Sequence, residues 1–232
     1  MHLRLATYNI HAGIGTDGRF DPGRIVGVLQ ELEADVLALQ EVENHRIDNL
    51  ELLQLLGSKS GLQAIAGPTL QRETRHYGNA LLTRLPVRQV RRVNLSLPQR
   101  EPRGAIDAVL AWGELELRVI ATHLGLRPGE RRAQIRHLLA LLEVPHDGPV
   151  ALLGDLNEWF LWGRPLRWLH RHFSSTPHLP TWPSRFPLFA LDRIWVRPRS
   201  ALITLTTHDS PLARRASDHL PIRAWMEHSA CR

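Results

Sequence analysis

Val150-Ala151-Leu152-Leu153-Gly154-Asp155-Leu156-Asn157 is an apolar run that stops at a glycine, an aspartate and an asparagine. Four apolar residues in succession read as a strand buried on both faces, because a half-exposed strand would alternate. The polar pair stands where such a strand would end. The same pattern recurs along the chain. Residues 3–10 read as a strand ending at Asn9, and 35–40 (DVLALQ) lead to Glu41. Residues 115–122 lead to His123, Asp192 directly precedes another apolar stretch, and Ser217-Asp218-His219-Leu220 precedes the last strand. Asn, Glu, His, Asp-x-Asn, Asp and Asp-His at strand ends describe one acidic, histidine-containing site gathered from the whole chain. Such a set suits a hard divalent cation and hydrolysis of a phosphate ester.

The remaining elements set the architecture. Asp21-Pro22 gives an N-cap and a proline at the first helical position, and the helix continues through Ile25, Val28, Leu29 and Leu32. The pattern predicts a second helix over 47–56, closed by Gly57. Strands are expected at 62–66, 80–83, 87–93, 105–112, 191–196, 202–206 and 221–225, with an amphipathic helix opening at Pro128-Gly129-Glu130. Strand and helix alternate early, whereas consecutive strands fill the middle and end. Two sheets packed face to face with helices outside fit this order better than a doubly wound parallel sheet. The chain has 232 residues, 43% of them hydrophobic, with no Pro/Gly/Ser-rich linker and no repeat, so one domain over 1–232 is expected.

The formal charge is +6, and since Lys59 is the only lysine, 29 − 1 = 28 of the basic residues are arginine. A basic chain favours polyanionic partners such as nucleic acid, anionic lipid head groups or phosphorylated small molecules. A codon bias toward arginine accounts for the excess equally well. Cys231 is the single cysteine, which excludes a disulfide framework and a cysteine zinc site. Met1-His2-Leu3-Arg4-Leu5 already reads as a strand, and no apolar run approaches about 18 residues. A cytoplasmic monomer without a transmembrane segment is the expectation.

Within the predicted site, Asp155 and Asn157 are two residues apart and would point the same way from an extended backbone. Asp155 could then orient an attacking water and Asn157 a phosphoryl oxygen. An Asx-turn after the strand is the competing account. Glu41 would offer a carboxylate to the cation, against the plain reading of a surface glutamate. Asp218 and His219 would face opposite sides, the first toward metal and the second toward phosphate. An imidazole used in this way needs a carboxylate to fix its tautomer, and Asp192 is the best candidate. His123 is a second candidate imidazole. Of the 13 histidines, His11 and His76 are the others expected nearest the site, while the rest, His45 included, read as surface or core residues.

One stretch departs in composition. In 159–189, Trp159, Trp162, Trp168 and Trp182 are interleaved with Arg164, Arg167, Arg171 and Arg185. Such a segment could stack bases and hold phosphates, or sit at a lipid interface. Alternatively, Trp162, Leu166 and Leu169 form the inner face of a short helix. Because the segment lies between Asp155 and Asp192, the chain leaves and re-enters the site there, which puts the insert at the rim.

The ordered set TYN, QEV, YGNALLTR, THL, GDLNE, LDRIWV and SDHLP resembles the endonuclease/exonuclease/phosphatase superfamily from Thr7 to Pro221. Each motif is weak alone, but the ordered set is specific. The resemblance implies a four-layered α/β sandwich and a phosphoester hydrolase dependent on Mg²⁺ or Mn²⁺, most readily a phosphodiesterase acting on nucleic acid or a phospholipid head group. A phosphomonoesterase and a catalytically silent nucleic-acid- or membrane-binding module are the alternatives. Carried over by motif, Asn9 and Glu41 would bind metal with Asp218 nearby. Asp155 would orient water, Asn157 the scissile phosphate, and Asp192 would polarise His219. His123 matches the subset with THL at this strand end. That subset pairs its histidine with a glutamate where this chain has Asn79, so His123 would bind phosphate rather than act as a strong acid. The phosphate-binding arginine is Arg103 or Arg100, with Arg103 favoured, and Trp182 joins Arg103 and Asn79 as a substrate contact. Peripheral membrane contact remains open. Segments EPRGA, THLGLRPGERRAQ and TWPS look most like small bacterial members of the group.

Overall fold

The computed structural model describes residues 2–44, 46–47, 50–72 and 75–227. His45 and Cys231 lie outside them. The expected sandwich is present. One sheet has six strands in the order β12 (Leu202–Thr207), β13 (Ile222–Glu227), β1 (His2–Asn9), β2 (Val36–Asn44), β6 (Arg75–Thr83) and β5 (Gln63–Arg72). The other has five, in the order β11 (Asp192–Arg197), β10 (Val150–Asp155), β9 (Leu115–His123), β8 (Gly104–Trp112) and β7 (Val87–Asn94). Pairing is antiparallel except between β1 and β2 and between β9 and β10.

Three apolar cores make four layers. Between the sheets, Leu5, Ala38 and Leu81 meet Ile106, Val119, Leu153 and Ile194. On the outer face of the six-stranded sheet, Ile25, Val28, Leu29 and Leu32 of α1 (Pro22–Leu32) pack with Leu52, Leu53 and Leu56 of α2 (Leu52–Ser60). On the far face, α3 (Pro128–Leu142) and α4 (Arg164–Phe173) cover Ile120, Leu152 and Trp195. This explains the unbroken apolar run of β10: Ala151 and Leu153 point to the central core, while Val150 and Leu152 point under the helices.

Two expectations need correction. The second helix begins at Leu52, because Glu51 and Gln54 form a reciprocal capping box, and it ends at left-handed Gly61. Before it, β3 (Arg46–Ile47) pairs with β4 (Leu50–Glu51). Gly57 sits inside the helix, where a Cβ would meet Leu62 O at 3.0 Å and Ala64 Cβ at 3.3 Å, so it permits close packing of α2 on the following strand. The second correction concerns β2, which does not stop before Glu41. It runs on to Asn44 with a register shift between Leu39 and Val42, and Glu41 has a left-handed φ of 56°. A bulge of this kind re-aims one side chain out of the pleat. No helix among the described residues is long and apolar enough to cross a membrane.

Candidate active site

Both parallel pairs, β1–β2 and β9–β10, end at the same edge of the sandwich, and the polar residues gather there. In the five-stranded sheet, Asp155 is in register with His123 on one side and Asp192 on the other. The six-stranded sheet brings Asn9 and Glu41, and the turn before β13 brings Asp218 and His219. Asp155 is the meeting point. Its Oδ2 accepts from Asn9 Nδ2 at 3.0 Å and lies 3.5 Å from His123 Nε2 and 3.8 Å from His219 Nε2.

The Asp155-Leu156-Asn157 reading requires amendment. Asn157 has a φ of 50°, and its backbone N–H donates to Asp155 Oδ1 at 2.8 Å, so the chain makes the Asx-type turn and is not extended here. The turn still brings the Asn157 side chain to the cluster, where Nδ2 donates to Leu124 O at 2.9 Å and lies 3.0 Å from His123 Nε2. Left-handed backbone at His11, Ala12, Glu41 and Asn157 surrounds one site. Such conformations cost about 1 kcal/mol or more each in non-glycine residues and persist where surrounding contacts hold them.

His219 Nδ1 is 2.8 Å from Asp192 Oδ2, an oxygen that also accepts from Thr181 Oγ1 at 2.6 Å. Burial alone would lower the pKa of His219, but Asp192 and Asp155 outweigh it and raise the value to about 10. His123 is different. Its Nδ1 is 3.2 Å from Arg103 Nη1 and its Nε2 is 3.0 Å from Asn157 Nδ2, so a donor stands against each ring nitrogen and a doubly protonated ring is disfavoured. Burial, with Arg103 and His219 adding to it against Asp155, lowers the His123 pKa to about 3.

The expected substrate contacts divide. Arg103 is buried at the cluster, whereas Arg100 turns away to Glu130 at 3.1 Å. Asn79 Nδ2 donates to Gly104 O at 2.9 Å, bracing the residue next to Arg103. Trp182 Nε1 donates to Asp218 Oδ2 at 3.1 Å. Of the two neighbouring histidines, His11 Nδ1 lies 3.7 Å from Asp218 Oδ1, while His76 Nε2 lies 3.0 Å from Asn44 Nδ2 and belongs to another network. Trp162, which one of the two readings puts on the inner face of a helix, precedes α4 and is 71% exposed; Leu166 and Leu169 are buried, as that reading has them. Sequence reasoning missed Thr181 behind Asp192 and Ser217, whose hydroxyl donates to Asn9 O at 2.8 Å. It also missed Tyr77, which is raised well above the ordinary tyrosine range by burial and Glu41 and lies against Arg103. Both Tyr77 and Ser217 sit inside motifs already singled out; only their partners were invisible.

The donor set accommodates a hard cation. Glu41 Oε1 accepts from Asn9 Nδ2 at 2.9 Å, and its other oxygen takes no hydrogen bond among the described residues. Burial raises the Glu41 pKa against the Asn9 hydrogen bond, and the nearby Asp155 adds to the rise, so negative charge here is under-compensated. Asp155, Asp192 and His219 also bring ligand atoms within 4.8 Å of one another. Asp192 and His219 are nevertheless hydrogen-bonded to each other, which favours the Glu41 side for an ion. Asn9 presents its nitrogen to both carboxylates, since its oxygen accepts from His11 N at 3.0 Å. A separate cavity of about 320 Å³ near Arg88, Asp107, Arg118 and His146 contains none of these residues, and the Arg118–Asp107 pair inside it (2.8 Å) ties β9 to β8.

Comparison with known proteins agrees with this fold. A family model described as the Endonuclease/Exonuclease/phosphatase family matches residues 6–219. The chain is 30% identical to the uncharacterized protein YbhP of Escherichia coli over 96% of this chain and 95% of that one. It superposes on an endonuclease/exonuclease/phosphatase from Bacteroides vulgatus with a TM-score of 0.80 at 17% identity, covering 99% of this chain and 100% of that one. The human Nocturnin catalytic domain, solved with a bound sulfate anion, gives 0.74 at 21% identity over 97% and 93%.

Proposed function

The chain belongs to the Endonuclease/Exonuclease/phosphatase family, a group of phosphate-ester hydrolases, and from that premise we propose that it is a divalent-metal-dependent phosphodiesterase acting as one catalytic domain. The convergence of Asn9, His123 and His219 on one oxygen of Asp155 carries this reading. A carboxylate fixed at both oxygens, with two imidazoles beyond it, is arranged to align a water against an anion.

Glu41 and Asp218 would hold Mg²⁺ or Mn²⁺, with Asn9 orienting Glu41. When bound, the ion supplies Lewis-acid polarisation and charge compensation at a phosphoryl oxygen. Asp155 accepts a hydrogen bond from the attacking water and draws its oxygen into line with phosphorus. As the new P–O bond forms, the ester P–O bond opposite it breaks; the water's proton passes to Asp155, and the ester oxygen departs as an alkoxide that takes a proton from solvent. His219, held protonated by Asp192, donates to a phosphoryl oxygen. Arg103 and the Asn157 amide add donors on the other flank, where neutral His123 stands against both. Donors fixed before charge develops stabilise the transition state without reorganising.

The test is hydrolysis of bis(p-nitrophenyl) phosphate with and without EDTA. Activity should require Mg²⁺ or Mn²⁺, and Glu41→Gln should raise the metal concentration needed as well as lower the rate. Full activity in EDTA would overturn the metal assignment. Turnover of p-nitrophenyl phosphate without the diester would replace the phosphodiesterase reading with a phosphomonoesterase.

A further inference from the structure

The excursion between β10 and β11 puts two apolar loops on the surface beside the site. The first carries Trp159, Phe160, Leu161 and Trp162, which are 36%, 53%, 42% and 71% exposed. The second is closed by the Trp182–Phe189 bridge and carries Phe186 and Leu188, which are 77% and 72% exposed. The loops are joined at their base. Trp159 stands edge-on to Trp182 at 5.2 Å and to Phe189 at 4.9 Å. Trp182 in turn donates to Asp218, so the platform is braced directly on the site. A patch this concentrated on a folded surface marks an interaction face.

Charge distinguishes the occupant. No aspartate or glutamate occurs anywhere in 159–189, while Arg164, Arg167, Arg171 and Arg185 do. The first three lie on the exposed stripe of α4, opposite buried Leu166, Leu169 and Phe173. None of the four arginines forms an ion pair among the described residues. The face is therefore apolar at its tips and cationic along its flank, complementary to an anionic surface with an apolar interior. Base stacking on single-stranded nucleic acid uses aromatic faces and gains nothing from Leu161 or Leu188. Entry into the boundary between lipid head groups and acyl chains gains from all six tip residues, with arginines left at head-group level.

We propose that the two loops dock the protein on an anionic phospholipid bilayer, so that the site opens onto head-group phosphodiesters. The docking stands on the surface alone; the choice of lipid phosphodiesters as substrate rests on the phosphodiesterase reading above. The experiment is co-sedimentation of the full chain with vesicles of phosphatidylcholine mixed with phosphatidylglycerol, and with phosphatidylcholine alone. The wild type should pellet with the mixed vesicles and bind phosphatidylcholine more weakly. Trp162→Ser with Phe186→Ser should lower that binding by about tenfold or more, the scale of two lost apolar anchors. Arg164→Gln, Arg167→Gln and Arg171→Gln together should lower it and flatten its salt dependence. Both variants should hydrolyse bis(p-nitrophenyl) phosphate at the wild-type rate, which also reports that they fold. A wild type left in the supernatant, or variants that pellet like it, would overturn the docking. Tight oligonucleotide binding abolished by Trp162→Ser with Phe186→Ser, without vesicle binding, would reassign the face to nucleic acid. Vesicle binding is read without turnover, so failure of the diester assay would remove the enzymatic reading and leave this one intact.

Discussion

His219 and His123 stand on either side of Asp155, one delivered by the turn before β13 and the other by the end of β9. Both are buried, and both hold Nε2 within 3.8 Å of the same carboxylate oxygen. Behind His219 lies Asp192; behind His123 lies Arg103. Burial lowers the pKa of both rings; Asp192, with Asp155, overcomes it at His219 and raises that pKa to about 10, whereas Arg103 adds to it at His123, where the pKa falls to about 3. One is a fixed imidazolium and the other a neutral ring, although burial acts on both in the same direction. The group behind Nδ1 decides whether the effect of burial is overcome or reinforced.

The comparison breaks if the two rings prove interchangeable. His219→Ala should lower turnover of every phosphodiester substrate by at least about 10²-fold, the scale for one lost charged donor to the phosphoryl group, as should Asp155→Ala, which removes the group that takes the water's proton. Asp192→Asn should lower turnover less and bring the His219 titration, followed by imidazole NMR, down toward its ordinary range. His123→Gln should lower turnover by only about tenfold, as for one hydrogen bond to a neutral ring lost behind Arg103 or Asn157. Equal losses at both histidines would remove the asymmetry.

Stability against pH sharpens the same contrast. The folded pKa of His219 is raised from 6.5 to about 10, so its contribution is complete below 6.5 and is lost as pH rises toward 10. The folded pKa of His123 is lowered from 6.5 to about 3, so its contribution is complete above 6.5 and is lost as pH falls toward 3. Melting temperatures measured in EDTA should therefore flatten on the alkaline side in His219→Gln and on the acid side in His123→Gln. The smallest effect is expected at Arg100→Gln, whose partly exposed pair with Glu130 should change stability by about 1 kcal/mol and leave turnover unchanged. An effect on turnover there would mean that Arg103 is not the arginine that matters.

The layer order and most of the site were legible because apolar runs end in polar pairs, and a buried strand has only its end free to present a polar group. What escaped depended on single residues whose backbone or partner is set by tertiary contact. Nothing in QEV announces that Glu41 is left-handed within a bulge. The helix after it was misplaced because Gly57 looked like a terminator, when its missing side chain serves packing. The spacing of Trp162 to Leu166 and Leu169 allows an inner helical face as readily as an exposed one, but the helix starts only at Arg164, so that spacing has no helical meaning. Arg103 and Arg100 differ by three positions, and only the turn between β7 and β8 separates them.

Gly154 lies one residue before Asp155, with a φ of 147°, and a Cβ built there would stand 1.9 Å from Thr122 O. It touches no substrate and offers no functional group, yet no other amino acid fits without prising β10 from β9. In a saturation library selected for folded protein, this silent position should reject nearly every replacement, while Trp162 on the rim accepts many. Tolerance to mutation would then map the rigidity of the frame that carries Asp155, and not nearness to the chemistry.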